Sequence, residues 1–371
     1  MRIQRVDYAG ARDLFRRACK RSESCGSRGP TGKSCNLLCM GRHHTAEVAF
    51  ADLGPDTILD AVESLGHRVD GRLLELNSFE NRVYQVGVED ESPLIAKFYR
   101  RERWSDAQIL EEHAFTLECQ RQELPVVAPL VHDGVTLHRF AGYRFSLSPR
   151  RGGHAPPLDD PEALTVLGRF LGRLHNIGAA GRFQHRQTID VATLGYEPRE
   201  LVLDSELLAP YLFDAYLTLT DDLLAIVEDR LEAIGAARIR LHGDFHIGNV
   251  LWRDHAPHVV DFDDTRSGPA VQDLWMLLPG DREEREQALL ALLKGYTAFR
   301  DFDPLELGLI EPLRTLRLIH YGGWLARRHD EPTFRHSFPW LAEPRWWEEH
   351  VLTLREQLAA LQEPALDWRP G

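Results

Sequence analysis

Between Leu53 and Ser148 the apolar positions alternate mostly with a period of two, and beyond Gly153 they recur at helical spacing. The first region opens on a helix, with Asp56 placed to cap a run through 57–62 that stops at Gly66. Residues 73–76 and 82–86 read as strands around the polar turn Asn77-Ser78-Phe79-Glu80-Asn81. In the strand 94–99 the alternation puts Lys97 on the same side as Ile95 and Tyr99. A lysine on an apolar face needs a counter-charge. The next segment supplies one: Ser105 with Gln108 forms a capping box, Asp106 complements the dipole, and the helix continues through 109–117. Glu111 or Glu112 on that helix turns inward to meet Lys97, and motif alignment favours Glu112. Residues 125–130 connect to a strand at 142–148, and 149–153 form the hinge before the helical region.

That region begins with an amphipathic helix at 161–177, whose Leu164, Leu167, Leu171 and Leu174 share a face and for which Gly178 is the stop. Segments 200–217, 220–235, 284–300, 304–329 and 346–361 also read as helices. One stretch interrupts them. Residues 250–252 and 258–260 are short apolar strands joined by the turn Arg253-Asp254-His255-Ala256-Pro257, a hairpin that brings Asn249 and Asp261 to one end. The pattern predicts a small β lobe followed by a helical lobe.

The chemistry clusters around that hairpin. Leu241-His242-Gly243-Asp244 precedes it, Asn249 follows Asp244 by five residues, and Asp261 closes the second strand. Phosphoryl transfer from ATP needs a carboxylate to accept the proton of the attacking hydroxyl and oxygen ligands for magnesium. Asp244 suits the first role; Asn249 and Asp261 suit the second, in the spacing of a kinase catalytic loop and its metal-binding aspartate. Kinases also use a strand lysine paired with a helix glutamate to position the phosphates, the place of Lys97 and Glu112 here. A rival reading makes His242, Asp244, His246 and Asp261 the ligands of a metal hydrolase. It leaves Asn249 and Lys97 without roles. His175 is read as structural.

Composition narrows the classes. With 371 residues and 43% hydrophobic content the chain buries a large core, and its net charge of −13 argues against a nucleic-acid partner. No run approaches the ~18 apolar residues of a membrane span, and five cysteines give no disulfide framework, which points to a reducing, cytoplasmic setting. Residues 1–39 stand apart. They hold nine Lys/Arg against three acids, a local +6 that leaves −19 for the remainder, and four of the cysteines, Cys19, Cys25, Cys35 and Cys39. Gly29-Pro30-Thr31-Gly32-Lys33-Ser34 imitates a phosphate-binding loop, but Ser27 stands where the first glycine belongs and no strand precedes it. The segment reads as a tail outside the fold, with Met40 nearer the functional start.

Five stretches carry a family resemblance: Leu76-Asn77-Ser78-Phe79-Glu80-Asn81-Arg82-Val83-Tyr84, Lys97-Phe98-Tyr99-Arg100, Ile109-Leu110-Glu111-Glu112-His113, Arg240-Leu241-His242-Gly243-Asp244 and the long run from Gly268 through Asp273-Leu274-Trp275 to Leu278. Over residues 45–365 the chain resembles the bacterial stress response kinase A (RdoA-type) group, within the protein-kinase-like phosphotransferases that include choline and aminoglycoside kinases. The resemblance implies an α+β, bilobal protein-kinase-like fold, with a small antiparallel β N-lobe (40–148) carrying one key helix and a larger, mainly helical C-lobe (149–371). It implies Asp244 as proton acceptor, Asn249 and Asp261 as Mg²⁺ ligands, Ser78 at the ATP phosphates, and a Ser/Thr protein acceptor in a stress response.

Departures from the general kinase pattern set further expectations. The loop 77–82 replaces a glycine-rich phosphate cover, so phosphate contacts fall to Ser78, main-chain amides or Arg82. Phe262-Asp263-Asp264 follows Asp261 in place of Phe-Gly, and no Ala-Pro-Glu ends an activation segment, which argues against control by loop phosphorylation. Asp263 either assists a second metal or caps a turn, and Asp273 braces the catalytic loop through main-chain amides. Trp324, Trp340, Trp346 and Trp347 either pack helices or line a pocket for a cationic small molecule, the acceptor of the alternative reading, a small-molecule kinase. A catalytically silent scaffold is a third reading, opposed by the joint presence of Lys97, Asp244, Asn249 and Asp261. The expectation is a monomer that uses ATP and Mg²⁺.

Overall fold

The structure is a computed structural model that describes residues 50–76 and 78–368; the basic segment 1–39, its 29–34 sequence, its four cysteines, Met40 and Asn77 lie outside the described residues. The chain divides into two compact units. One comprises Phe50–Ile189, Ile234–Ile310 and the chain from Pro364; the other contains Asp190–Ala233 and Glu311–Glu363.

The first unit begins with helix α1 (Pro55–Glu63), then strands β1 (Val69–Leu76), β2 (Arg82–Val88) and β3 (Leu94–Tyr99), helix α2 (Asp106–Arg121), and strands β4 (His138–Phe140) and β5 (Tyr143–Pro149). Pro55 takes the first position of α1 with Gly54 as cap, so Asp56 lies inside the first turn, where it faces the positive end of the helix dipole without capping it. The strands form one antiparallel sheet in the order β1-β2-β3-β5-β4. Its core is built by alternation: Ala96 and Phe98 of β3 join Val86, Phe145 and Leu147 against Ile58, Ala61 and Val62 of α1. Lys97 and Tyr99 therefore face the other side. There the Tyr99 hydroxyl meets His113 Nε2 of α2 at 2.8 Å and Ser146 Oγ at 3.0 Å. Both halves of the Ser105–Gln108 capping box are present at the start of α2.

The same unit continues with α3 (Pro161–Ala179), β6 (Ile239–Leu241), the hairpin β7 (Val250–Arg253) and β8 (Ala256–Val259), β9 (Arg266–Gly268), and α6 (Arg282–Tyr296). Helices α3 and α6 approach so closely that a Cβ on Gly168 would collide with the Leu292 carbonyl, and one on Gly295 with that of Thr165. Gly178 is not the helix stop. The helix runs on to Ala179, and Gly178 is small because the Arg240 carbonyl of β6 passes where a side chain would lie.

The second unit is helical: α4 (Glu197–Leu203), α5 (Pro210–Ile234, whose last residue falls in the first unit), α7 (Ile310–Arg328, whose first residue does likewise), α8 (Pro332–Ser337) and α9 (Pro344–Ala360). Helices expected at 200–217 and 220–235 are redistributed, because Pro210 can start a helix but not sit inside one. Thr218 and Thr220 do not break α5, since their hydroxyls donate to the carbonyls of Asp214 and Tyr216 one turn back. Trp347 is fully buried and donates Nε1 to the Leu341 carbonyl at 3.0 Å, while Trp346 lies against Trp340 and His350. No helix among the described residues is long and apolar enough to cross a membrane.

Candidate active site

Every predicted site residue lies in the first unit. Strand β6 pairs with β9 and delivers the loop His242-Gly243-Asp244. The loop is gripped from beneath: Asp273, fully buried, accepts the main-chain N–H of His242 and of Gly243, each at 2.8 Å, and Gln272 Nε2 donates to the Gly243 carbonyl at 2.9 Å. His175 Nε2 stands 3.2 Å from the same Asp273 carboxylate, and its Nδ1 meets the Tyr296 hydroxyl at 2.9 Å. Both residues are therefore structural, as read from the sequence. Gly243 has φ +88°, and its missing side chain lets the Asp264 carbonyl pass. The His242 ring packs on Phe262 and Phe245, with Nε2 3.0 Å from the Val260 carbonyl and Nδ1 facing the Asp244 amide. Fully buried with both nitrogens engaged, it is no metal ligand, which removes the hydrolase reading.

Downstream of Asp244, the Asn249 side chain donates Nδ2 to the Asp244 carbonyl at 3.0 Å, which directs its Oδ1 elsewhere and fixes the two residues in register. The hairpin turn is tighter than expected. Asp254 and His255, both at positive φ, make a two-residue turn, and Arg253 pairs with Ala256. Val250 faces Val259, and the Val260 amide donates to the Asn249 carbonyl at 3.0 Å, so the hairpin holds Asn249 beside the strand end that leads to Asp261. Asp261 adopts φ 61°, ψ 64°, a left-handed conformation that costs an aspartate on the order of 1 kcal/mol or more. Its carboxylate remains half-exposed, at 53%.

Lys97 crosses to this turn. Its Nζ lies 3.0 Å from Asp261 Oδ1 and 3.0 Å from Asp263 Oδ1. The expected pair with Glu112 is replaced. Glu112 Oε2 accepts from Arg186 Nη2 at 3.1 Å, and the Glu111 carboxylate takes the main-chain N–H groups of Gln184, His185 and Arg186. A guanidinium within hydrogen-bond reach claims Glu112, so that carboxylate acts on Lys97 only through space. Burial alone would favour neutral Lys97, but Asp261, Asp263 and, less strongly, Glu112 outweigh it and raise the amine well above its ordinary pKa. For Glu112 burial wins, pushing the carboxyl up to about 7 against the pull of Lys97 and Arg186.

Asp263 neither caps the turn with its side chain nor offers a free metal ligand. At 3% exposure it binds Lys97, Arg103 Nη1 and Asn81 Nδ2, the last at 3.1 Å. Burial opposes its ionisation, and Arg103 and Lys97 overcome it, holding the carboxyl well below the usual range. Asn81 also accepts the Arg100 amide at 3.2 Å, so the loop after β1 is tied to the turn at 261–264 through a residue to which the sequence reading gave no role. Half-buried Ser78 sits in that loop. Arg82 Nη1 reaches the carbonyls of Ser78 and Asn81 at 3.4 and 3.5 Å, and Nε stands 3.8 Å from Glu75, so its guanidinium braces the loop.

Among the described residues no three His, Cys, Asp or Glu side chains form a metal cage. A magnesium ion that keeps waters and takes phosphate oxygens needs only one or two protein ligands, and the Asn249 amide oxygen with the exposed Asp261 carboxylate is a hard-oxygen pair of that kind.

A family model for phosphotransferase enzymes matches residues 72–307. Stress response kinase A of Escherichia coli K12 is 46% identical over 321 residues, which cover 86% of this chain and 97% of that protein. The serine/threonine protein kinase RdoA of Salmonella typhimurium is 44% identical over the same shares. Among solved structures, a microcompartment-associated aminopropanol kinase superposes with a TM-score of 0.62 at 18% identity, covering 81% of this chain and 97% of that one, a likeness of fold. The chain belongs to the phosphotransferase enzyme family: it is an α+β enzyme of protein-kinase-like fold that transfers phosphate.

Proposed function

We propose that this enzyme transfers the γ-phosphoryl group of ATP, with Mg²⁺, to Ser or Thr hydroxyls of a protein acceptor in the cytoplasm. The observation that carries the reading is the left-handed Asp261, half-exposed and held by Lys97, which a hairpin brings toward Asn249, five residues after Asp244. Asn249 and Asp261 would hold the magnesium, which when bound neutralises charge on the β- and γ-phosphates. Lys97 is the fixed cation for the phosphates, and the loop carrying Ser78 lies next to it through Asn81 and Asp263. Asp244 accepts the hydroxyl proton; Asp273 and Gln272 hold the preceding His242 and Gly243, and Asn249 holds the Asp244 carbonyl, so the loop is ordered before the acceptor arrives. The 44–46% identical relatives named as kinases, one of them a serine/threonine protein kinase, support the protein acceptor.

Incubation with labelled ATP and Mg²⁺ should label the enzyme or generic protein substrates with acid-stable phosphoserine or phosphothreonine, and Asp244→Asn should remove the label. No protein-bound phosphate, together with rapid ATP turnover on an amino alcohol or sugar, would move the assignment to a small-molecule kinase.

A further inference from the structure

Arg186 lies in the irregular stretch between α3 and the second unit, carries no motif, and is buried at 5% exposure. Each of its three guanidinium nitrogens donates into one small region. Nε donates to the Gln108 carbonyl of α2 at 2.9 Å, Nη2 to Glu112 of α2 at 3.1 Å, and Nη1 to the main-chain carbonyl of Asp263 at 2.9 Å. The Trp104 ring lies under the guanidinium at 4.5 Å. The strand of chain around Arg186 is itself fixed on both sides. Glu111 accepts three successive amides at 184–186, Gln108 Nε2 donates to the His185 carbonyl at 3.1 Å, and beyond it the Ile189 amide donates to Ser267 of β9 at 2.7 Å while Ser267 returns a bond to Gln187 at 3.0 Å.

We infer that Arg186 is a positioning residue for the metal turn: by holding the Asp263 carbonyl against α2, it keeps Asp261 in the left-handed conformation that presents its carboxylate. The inference rests on the proposed magnesium role of Asp261. A left-handed aspartate relaxes unless its neighbours over-determine it. On this turn the Asp263 side chain is held by Lys97, Arg103 and Asn81, while its main chain is held by Arg186. In the strand-lysine to helix-glutamate arrangement, α2 would be joined to the phosphate site through Lys97. Here Glu112 is taken by Arg186, and the helix is joined instead to the backbone of the metal turn.

The competing account makes Arg186 a counter-charge for buried Glu112 and nothing more. Arg186→Lys separates the two, because lysine keeps the charge but cannot reach three acceptors in a fork. Arg186→Gln removes both functions, and Glu112→Gln removes the need for a counter-charge while sparing the bond to Asp263. Two readouts apply to the full chain: amide hydrogen exchange over 261–265, and Mn²⁺ binding in the presence of a non-hydrolysable ATP analogue, followed by electron paramagnetic resonance. Loss of a group that orients a metal ligand typically weakens metal binding by about 10–100-fold, and that is the expected fall in Mn²⁺ affinity for Arg186→Lys. Exchange over 261–265 should accelerate in step in the same variant, whereas Glu112→Gln should keep both readouts within about twofold of the parent. Should Arg186→Gln not fold, Arg186→Lys carries the test alone. Parent-like exchange and parent-like Mn²⁺ affinity in Arg186→Lys would overturn the inference and leave the counter-charge account. Failure of the parent itself to bind Mn²⁺ with the nucleotide would instead overturn the magnesium reading of Asp261, and the inference with it.

Discussion

Replacing Asp263 with Asn tests whether this carboxylate is a buried ionic hub or a second metal ligand. It is 3% exposed and faces Lys97, Arg103 and Asn81 at once. Removing one partner of a buried ion pair typically costs 3–5 kcal/mol, because the other charge is left without compensation. Here neither cation is abandoned: Lys97 keeps Asp261 at 3.0 Å, and Arg103 keeps Asp264 at 2.8 Å and Glu80 at 3.7 Å. An Asn side chain also retains one acceptor. The expected loss is therefore below that range, about 2–3 kcal/mol, or a fall of roughly 1 M in urea midpoint at an ordinary denaturant slope. The sign of the pH dependence follows from the depressed carboxyl. Its stabilisation is present above the ordinary 3.8 and is lost as pH falls toward the lower folded value. The parent and Asp263→Asn should thus differ fully at pH 7 and converge only in acid. Urea unfolding read by tryptophan fluorescence suits the measurement, since Trp104 lies beneath Arg103, with 5.5 Å between the guanidinium and the ring. A midpoint unchanged within about 0.2 M, with activity lost at low Mg²⁺ and restored at high Mg²⁺, would refute the hub and make Asp263 a ligand.

Asp261→Ala should abolish phosphoryl transfer while leaving the urea midpoint near that of the parent, because a half-exposed ion pair contributes little to stability; undiminished transfer at saturating ATP and Mg²⁺ would refute the metal assignment. Lys97→Ala should lower the rate by about 10²–10³-fold, the scale of losing one fixed charge-stabilising group. A variant that is less stable but turns over at the parental rate per folded molecule would make the lysine structural. Glu112 carries a raised carboxyl, so the folded state keeps a proton that the unfolded chain has released, and stability falls as pH rises from the ordinary 4.5 to about 7. Glu112→Gln removes this slope, and the stability difference between parent and variant should shift by up to about 3 kcal/mol over that interval, while parallel pH curves would refute the raised value.

What the sequence made legible was local. The face of Lys97 follows from strict alternation in β3, the start of α2 from a capping box, and the Asn249–Asp261 proximity from a hairpin whose strands differ from their surroundings in composition. Partners from distant parts of the chain were not legible. Motif alignment favours Glu112 over Glu111 as the inward glutamate but does not show what meets it there, and the winning cation lies 74 positions away in a stretch without pattern. Asn81 and Asp263 meet across 182 positions. Strands β4, β6 and β9 span three residues each, too few to show a period, and they are defined by their neighbours. The redrawn helices of the second unit had a visible signal in Pro210, which marks a helix start that the apolar spacing alone obscures.

The charge pattern of the site also bears on the proposed divalent cation. Its deep carboxylates are matched: Asp263 lies between Lys97 and Arg103, Asp264 between Arg103 and Arg266, and Glu112 against Arg186. Asp261 shares its lysine with Asp263 and stands half-exposed at the outer edge, with the partly exposed Asp244 carboxylate on the loop before the hairpin. Each of these two carboxylates has a partner, Lys97 for Asp261 and His246 Nε2 at 3.4 Å for Asp244, but both stand nearer the solvent than the matched interior pairs. Two like charges about 4 Å apart repel by about 4 kcal/mol at the effective dielectric of a protein surface. Under the proposed reading, ATP alone would bring its phosphates against Asp261 and Asp244, while Lys97 is already shared by two aspartates. Magnesium held by Asp261 and Asn249 would supply positive charge that offsets this repulsion. Under the proposed reading the metal is thus a condition for the nucleotide to seat as well as a contributor to the chemical step.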